Sequence, residues 1–330
     1  MQPPRVTRMD SAAADRFDTS RFEASRNRLA SLAYRLLGSA ADAEDAVQDA
    51  FLHWQSADRQ RIKVPEAWLT KVVTNLCLDR LRSAQARRER TAGAWLPEPL
   101  LEGDPMLGPA DTAEQRESVS LAVLTLMERL SPVERAVYVL REAFSYGHAE
   151  IAAILDTTES ASQQHLHRAR RRITDTRRGG GEAGRAADRA SARGIVEEFF
   201  AAASSGRTER LVALLTDDAT ATSDGAGLTR TLLRYDTPQR IAAIAQAGFK
   251  PASAQRRFAG ETPAAHYALV NGAPAILFVI GDEVIGTVTF DITGGRIAAV
   301  VGVAAPARLG RITEAWRRYD EPDTPLVHQW

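Results

Sequence analysis

The stretch AEIAAILDTTESASQQHLHRARRR, residues 149–172, decides the fold of one part of this chain. A short helical segment over 148–155 is followed by four polar residues and then by a second helical segment over about 160–172. This spacing is typical of a helix-turn-helix. Asp156 stands at the turn, where glycine is usual, and aspartate tolerates a left-handed backbone better than most residues.

The second helical segment carries side chains that suit DNA. Amide and imidazole groups suit the edges of bases, whereas guanidinium groups suit phosphates. The first kind comprises Gln163, Gln164 and His167, and the second comprises Arg168, Arg171 and Arg172. A purely structural helix pair is the alternative, but this charge pattern favours DNA binding.

Two features lie upstream of this segment. Ser131-Pro132-Val133-Glu134 combines a cap, a first-turn proline and an acidic residue three positions on, which predicts the start of a helix. Between residues 90 and 111 the helical pattern breaks at the sequence WLPEP (95–99) and at several later glycines and prolines. Such a composition indicates an extended linker.

A predicted helix that ends near residue 56 carries an acidic stripe. Asp42, Asp45 and Asp49 share one face, and Glu44 and Gln48 flank them. Clustered carboxylates repel one another, so they gain energy only against a basic partner. A solvated surface face is the alternative that the spacing alone leaves open.

The next predicted helix begins at Pro65 and has a basic and polar side opposite its apolar face. Lys71, Asn75 and Arg82 lie on that side, and Trp68 starts the helix. Basic groups follow phosphates, and an aromatic ring can stack on an unpaired base. Ordinary amphipathicity, with Trp68 in the core, is the alternative.

From residue 193 the pattern changes. Helices come first, and strand-like stretches follow at 266–270, 275–280, 284–290 and 296–303. Asn271-Gly272 and Gly294-Gly295 are typical of hairpin turns. Helices followed by an antiparallel sheet predict an α+β domain.

The composition limits the functions open to the chain. Of the 330 residues, 25% are charged and the net charge is zero, so local patches decide nucleic-acid binding. Cys77 is the one cysteine, which suits a reducing compartment and argues against structural zinc. The sequence shows neither a signal peptide nor a membrane-spanning run, so we expect a cytoplasmic protein. It also shows no nucleophile–base pattern, metal-ligand spacing or phosphate loop, so we expect neither an enzyme nor a cofactor.

Together these residues resemble the extracytoplasmic-function sigma factors over residues 22–175. AYRLLGSAADAEDAVQDAFLHW (33–54) is similar to the polymerase-binding segment of the family's region 2, and AWLTKVVTNLCLDRLRSAQARRER (67–90) to its promoter-melting segment. Residues 127–142 resemble the opening of region 4, and 149–172 its helix-turn-helix. The resemblance implies an alternative sigma factor that binds core RNA polymerase, melts promoter DNA and initiates transcription.

The resemblance also implies three sets of contacts. The acidic stripe docks on the clamp helices of the polymerase's largest subunit, and the polymerase flap is a further partner. The residues that capture the unwound minus-ten promoter element are Arg61, Lys63, Trp68, Lys71, Asn75, Arg80 and Arg82. The amide, imidazole and guanidinium groups of the second helix of the helix-turn-helix read the minus-thirty-five element in the major groove.

A subgroup of that family carries a C-terminal SnoaL-like domain, an α+β cone, and a Trp-Leu-Pro-Glu-Pro motif in its linker. We expect Trp95 of this motif to dock on the C-terminal domain, which then modulates the sigma factor. The subgroup's Asp-Gly-Gly-Gly-Lys and Asn-Pro-Asp-Lys-Leu segments are eroded here at 224–228 and 305–309, and Gln163 replaces a frequent arginine. The residues assigned to interdomain regulation are Trp95, Leu96, Pro97, Glu98, Pro99, Asp224 and Arg308.

The sequence therefore predicts a multidomain chain of all-α regions followed by an α+β domain. The predicted division is a flexible leader (1–20), sigma region 2 (21–90), a linker (91–112), region 4 (113–178), a Gly/Arg linker (179–192), the SnoaL-like domain (193–310) and a tail (311–330).

Two alternatives stay open. A helix-turn-helix regulator with a ligand-sensing domain needs no acidic stripe. An enzyme would use acid and base groups in the cone, for which Asp224, His266 and Asp291 are candidates, although each reads more simply as a polar group of a turn or an edge strand. A small ligand bound in the cone without catalysis is a further prediction.

Overall fold

The computed structural model describes residues 9–58, 61–88, 96–108, 118–176, 189–229, 231–249, 263–319 and 325–326. The N-terminal unit consists of α1 (Met9–Leu37), α2 (Ala40–Ser56) and α3 (Pro65–Arg88). Helix α1 begins at Met9, whereas the sequence predicts a leader up to residue 20. Residues 9–20 lack apolar periodicity, but extending a helix that is anchored from the buried Phe22 onward costs much less than nucleating one.

The second helical unit contains the predicted helix-turn-helix. Its elements are α4 (Leu121–Met127), α5 (Pro132–Tyr138), one turn of π-helix (Val139–Ala143), α6 (His148–Leu155) and α7 (Glu159–Thr176). Ser131 and Glu134 form the predicted capping box at the start of α5. Asp156 ends α6 with φ 49°, ψ 50°, which is the left-handed conformation that the sequence predicts at the turn.

The C-terminal unit is α+β, as the sequence predicts. Its elements are α8 (Arg189–Ser204), α9 (Thr208–Leu214), β1 (Leu215–Ser223), β2 (Leu233–Tyr235), α10 (Pro238–Phe249), β3 (Ala264–Val270), β4 (Ala273–Ile280), β5 (Glu283–Thr293), β6 (Arg296–Val303) and α11 (Gly310–Arg317). The strands form one sheet in the order β2-β1-β6-β5-β4-β3. Strand β1 runs parallel to β6, and the other neighbours are antiparallel.

Strands β1 and β2 and the bounds of two helices differ from the sequence-based division. Strand β1 was not predicted, because its sequence LTDDATATS is mostly polar and it is ordered by pairing with β6. Helix α8 begins inside the predicted Gly/Arg linker, and α11 occupies the start of the predicted tail. Both helices bury one apolar side, represented by Val196 and Ile312, so the rest of the fold stabilises them.

The sheet is buried on both faces, and this joins the C-terminal unit to the rest of the chain. On β4, Ala275, Leu277 and Val279 pack into a core that is continuous with the two helical units. Ile276 alternates with them and packs instead into a second core between the sheet and α8–α10, beside buried aromatic rings such as Phe199. The two helical units and the outer face of the sheet therefore share one apolar core.

Candidate nucleic-acid interface and its internal contacts

The acidic stripe lies on one side of α2 but is not free of basic groups. The Arg80 guanidinium of α3 donates to the Asp49 carboxylate at 2.7 Å and to the Asp42 carbonyl oxygen at 2.8 Å. It also lies 4.0 Å from Asp45, whose side chain keeps 68% of its exposure. Arg80 is therefore an internal counter-ion of the stripe in this structure, and its assignment to the minus-ten element stays a prediction.

Glu44, which flanks the stripe, contacts the C-terminal helix. Arg311 of α11 donates to Glu44 Oε1 at 2.5 Å and to the Asp104 carboxylate of the linker at 2.7 and 3.1 Å. Burial lowers the pKa of Arg311, but the hydrogen bonds to the two carboxylates outweigh it and leave that pKa raised. The fixed positive charge of α11 thus ties the edge of the stripe to the linker, a contact for which the sequence gives no signal.

The polar side of α3 is also partly occupied. Trp68 is half-buried at the edge of the core and packs on Trp54, with 5.7 Å between the ring centroids. Arg82 pairs with Asp79 at 3.0 Å, and Asn75 is half-buried. Arg82 stays exposed in its pair with Asp79, whereas Trp68 and Asn75 each have part of their surface buried.

Before α3, Arg61 and Lys63 are exposed. Arg61 lies 3.3 Å from Asp58 in a largely solvated pair. Lys71, one turn into α3, donates to Asp156 Oδ1 at 2.5 Å and to the Ala153 carbonyl oxygen at 3.0 Å. The structure thus leaves the loop cations accessible and places the helix cation against the helix-turn-helix.

Helix α7 presents its predicted base-reading residues to solvent. Gln163, Gln164 and His167 are exposed. Helices α6 and α7 are held together by a 2.9 Å hydrogen bond between His148 Nδ1 and Ser162 Oγ, in addition to their apolar packing. The structure therefore brings these three side chains to one accessible surface of a fixed helix.

Two of the arginines predicted to bind phosphate are held instead by a buried carboxylate. Arg168 Nε donates to Glu134 Oε1 at 3.0 Å, and Arg172 donates to Glu134 Oε2 at 2.6 Å. Burial raises the pKa of Glu134, but hydrogen bonds from Ser131 and Arg168 and the charge of Arg172 outweigh it and hold that pKa below its usual range. Arg171, on the same helix, has an exposed side chain as well.

The linker is a buried strap and not a spacer. Leu96 and Leu100 have no exposed surface. Glu98 accepts hydrogen bonds from Ser39 Oγ and the Ala40 amide, both at 3.0 Å, so it completes the cap of α2. Its carbonyl oxygen accepts from the Tyr34 hydroxyl at 2.6 Å. The Trp95 prediction lies outside the described residues.

The C-terminal unit also contacts the linker. Arg308 donates to the Leu96 carbonyl oxygen, which agrees with its predicted interdomain position. Asp224, which was assigned to the same set, makes its hydrogen bonds within its own domain, because its carboxylate accepts from the amides of Ala226, Ala304 and Ala305. Asp224 therefore holds the end of β1 to the segment after β6.

Asn271, read in the sequence only as part of a hairpin turn, is the central residue of the junction. It is fully buried, with φ 53°. Its Nδ2 donates to the Tyr34 hydroxyl at 2.7 Å and to the Val119 carbonyl oxygen at 2.9 Å, and its Oδ1 accepts from the Leu100 amide at 2.8 Å. One carboxamide thus contacts the first helical unit, the linker and the second helical unit.

Sequence comparisons agree with this architecture. The profile of Sigma-70 region 2 matches residues 21–87, and that of Sigma-70, region 4 matches residues 120–173. The ECF RNA polymerase sigma factor SigJ of Mycobacterium tuberculosis is 41% identical over 218 residues, which cover 66% of this chain and 68% of that protein. The probable ECF RNA polymerase sigma factor SigI of the same species is 30% identical over 87% of this chain and 93% of its own. This chain belongs to the ECF RNA polymerase sigma factors.

A solved structure extends the match of this sigma factor into its C-terminal unit. The crystal structure of M. tuberculosis SigJ aligns with a TM-score of 0.64 and 31% identity, covering 88% of this chain and 97% of that chain. The first and second helical units are therefore regions 2 and 4, and the function is that of an alternative sigma factor. The family is not one of enzymes.

The candidate acid and base groups do not form one site in the sigma factor. Asp224 follows β1, Asp291 lies on β5 and His266 lies on the edge strand β3, so the sheet order separates them. The His266 ring packs 4.8 Å from Trp316 of α11, on the side of the sheet that faces the shared core. These placements support the simpler interpretation of each group as a structural polar residue.

Two further features are absent from the described residues. Within those ranges, no helix combines the length and apolar character needed to cross a bilayer. Across the same residues, no group of three or more His, Cys, Asp or Glu side chains is arranged to hold a metal ion.

Proposed function

We propose that this sigma factor binds core polymerase through the acidic face of α2, contacts the minus-ten element through the loop before α3, and reads the minus-thirty-five element with α7. We further propose that its C-terminal domain controls how regions 2 and 4 are arranged. The observation that carries the second part is the Asn271 carboxamide, which bonds both regions and the linker. Since polymerase and promoter are its partners, its place of action is the cytoplasm.

The acidic face supports polymerase binding through its charge and exposure. Asp42, Asp45 and Asp49 project from one helix, and Arg80 neutralises only part of their charge. A basic surface such as the clamp helices of the largest polymerase subunit would compensate the remainder. Close charge pairs of this kind contribute about 1.5–7 kcal/mol of coupling in measured interfaces.

Region 4 supports promoter reading through the exposed amides of α7. Gln163 and Gln164 lie near the N-terminal end of this helix. In helix-turn-helix proteins the N-terminal residues of the second helix contact base edges, and glutamine can make paired hydrogen bonds with adenine. Arg171 and the loop residue Lys63 are exposed cations suited to phosphates.

Three polar contacts at successive positions along the linker support control by the C-terminal domain. Arg308 contacts Leu96, Asn271 contacts Leu100, and Arg311 contacts Asp104. The linker also pairs with the edge strand β3, since Glu102 N donates to the Leu269 carbonyl oxygen at 2.9 Å. Regions 2 and 4 cannot change their arrangement without disturbing this strap.

Charge reversal tests polymerase binding. The variant Asp42→Lys/Asp45→Lys should bind purified core polymerase about tenfold or more weakly, because two attractive pairs become repulsive. Asp217→Lys/Asp236→Lys is the matched control, since it reverses two exposed carboxylates of the C-terminal domain. Binding is measured by fluorescence anisotropy and initiation by runoff transcription. If the two variants bind polymerase and initiate transcription equally well, the acidic face of α2 is not the polymerase-binding surface.

A point variant tests the C-terminal domain without removing it. Deletion after residue 190 would expose the sheet face that completes the shared core, so its result would be ambiguous. Asn271→Gly keeps the left-handed turn and removes the three carboxamide hydrogen bonds. We expect runoff transcription to change about threefold or more, with Asp282→Gly in the exposed β4–β5 turn as control. Unchanged transcription with an unchanged melting temperature would exclude control through Asn271.

A further inference from the structure

An acidic side chain lies on the surface of α7 that is proposed to face DNA. Glu159 is the first residue of this helix and is exposed, and Gln163 follows it four positions later on the same side. The Glu159 carboxylate makes no hydrogen bond or ion pair with the other residues that the structure describes. The acid thus extends the proposed recognition surface by one helical turn towards the start of α7.

The first turn of α7 is held in place without the side chain of Glu159. The Thr158 hydroxyl accepts a hydrogen bond from the Ala161 amide at 3.1 Å, and the Thr158 carbonyl oxygen accepts one from the Ser162 amide at 3.0 Å. Ser162 is fully buried, and its hydroxyl lies 2.9 Å from His148 Nδ1 of α6. Since these contacts cap the helix and fix it on α6, the Glu159 carboxylate projects into solvent from a fixed backbone position.

A carboxylate on such a surface is unfavourable beside the DNA backbone. Phosphates are negative, so an acid near them weakens binding to every DNA sequence, whereas exposed cations such as Arg171 strengthen it. An ionised carboxylate also has no hydrogen to donate. It therefore gains energy on DNA only from an amino group, and amino groups of DNA lie on the base edges. The residue type at position 159 indicates base reading and not backbone contact.

The base edges of the major groove differ in what they offer to a carboxylate. Guanine and thymine present acceptor atoms there, which repel it. Adenine presents the N6 amino group next to the N7 acceptor, whereas cytosine presents the N4 amino group and no acceptor of its own. Cytosine is therefore the base that a carboxylate favours most.

We propose that Glu159 determines specificity in region 4 by accepting a hydrogen bond from the N4 amino group of a cytosine in the minus-thirty-five element. This inference rests on the proposed function, in which α7 reads that element. Four helical residues span about 6 Å, and successive base pairs are ~3.4 Å apart. The cytosine should therefore lie within about two base pairs of the base pair that Gln163 contacts.

Two substitutions test the carboxylate. Glu159→Gln keeps the size of the side chain but supplies an amide, which can make paired hydrogen bonds with adenine. Glu159→Ala removes the polar group altogether. Glu209→Gln is the matched control, because Glu209 is also an exposed acid in the first turn of a helix, α9 of the C-terminal domain. The control reports the effect of removing one negative charge from a helix start away from α7.

The experiment uses the full-length protein bound to core polymerase. This holoenzyme first selects its preferred sequences from promoter duplexes that are randomised over the minus-thirty-five element. Its affinities are then measured for all single-base-pair variants of the selected sequence. Gln163→Ala locates the base pair that Gln163 contacts, and melting temperatures of the free proteins verify that each variant folds.

We expect the unmodified holoenzyme to prefer cytosine at one position near that base pair. Glu159→Gln should change the ratio of the affinities for adenine and cytosine at this position about tenfold or more in favour of adenine. Glu159→Ala should remove the preference there without creating a new one. Both variants should leave the preferences at distant positions unchanged, and Glu209→Gln should change none.

Two results would overturn the inference. In the first, Glu159→Gln leaves the base preference unchanged at every position. In the second, it strengthens binding to all sequences equally, which places the carboxylate beside a phosphate. If Gln163→Ala relaxes one position while Glu159→Gln relaxes none, only this inference fails. If the unmodified holoenzyme selects no defined minus-thirty-five sequence, the proposed reading by α7 fails, and the role of Glu159 fails with it.

Discussion

Helices α3 and α7 both carry rows of basic and polar residues, and the sequence assigns both rows to DNA, but the structure uses them differently. On α3, Lys71 and Arg80 are paired with carboxylates of α6 and α2. On α7, the amides of Gln163 and Gln164 are exposed, and arginines of the following turns, such as Arg168, are paired internally. The comparison shows that a basic side chain on a predicted DNA-binding face can be paired with a nearby carboxylate in the folded protein, which the spacing along one helix does not reveal.

The largest expected effect comes from breaking the internal pairing of α7. Glu134→Ala leaves Arg168 and Arg172 without their carboxylate and removes the acidic half of the α5 capping box. Arg168 and Arg172 are about half exposed and can rehydrate, so the cost is that of losing hydrogen bonds to a charged group, about 1.5–3 kcal/mol. We expect a loss of unfolding free energy of that size in urea denaturation.

The matched control is Glu142→Ala, which removes a carboxylate that pairs with Arg170 of the same helix at 2.7 Å but is more accessible. It should cost about 1 kcal/mol or less. Similar losses for the two variants would show that Glu134 is an ordinary surface partner of α7.

The same carboxylate predicts a pH dependence of stability. The pKa of Glu134 is lower in the folded protein than in the unfolded chain, so its stabilisation is fully present above the unfolded pKa of about 4.3. This stabilisation is lost as the pH falls through the lower folded pKa. The stability difference between the unmodified protein and Glu134→Gln, measured by thermal melting, should therefore shrink in acid. If the stability difference between the two proteins grows as the pH falls, the pKa of Glu134 is raised and not lowered by folding.

An intermediate effect should follow from changing the recognition surface itself. Gln164→Ala removes an exposed amide and should cost about 1–3 kcal/mol of discrimination at one base pair of the minus-thirty-five element. Binding of the polymerase holoenzyme to single-base-pair variants of the promoter measures this. Arg168→Ala should instead weaken folding more than it changes base preference. If both variants reduce the base-pair specificity equally, Arg168 must exchange its pairing with Glu134 for a contact with DNA when the promoter is bound.

The smallest expected effect concerns two cations of region 2 and their contribution to promoter binding. Lys63 is exposed, whereas Arg80 keeps 29% of its side-chain exposure beside Asp49. Lys63→Ala should lower the salt dependence of holoenzyme–promoter binding by about one phosphate contact, and Arg80→Ala should leave it nearly unchanged. If only Arg80→Ala lowers the salt dependence of binding, this arginine exchanges Asp49 for a phosphate when the promoter is bound.

Local sequence predicted most of the helices, the turn at Asp156 and four of the strands, because capping residues and apolar periodicity act over a few positions. It could not predict β1, whose polar sequence depends on pairing with β6. It also placed Trp68 on a DNA-binding surface, since amphipathic spacing does not distinguish a ring at the edge of a core from one on a surface.

The sequence by itself determined the family of this protein, the helix-turn-helix and the residues that face outward from it, because these depend on spacing along one helix. Only the tertiary structure decided which charged groups remain available. Glu44 and Arg311, or Tyr34 and Asn271, are separated by more than two hundred residues and meet only after the chain folds. Pairing between such residues leaves no periodic signal in a single sequence, since each partner alone looks like an ordinary surface or turn residue.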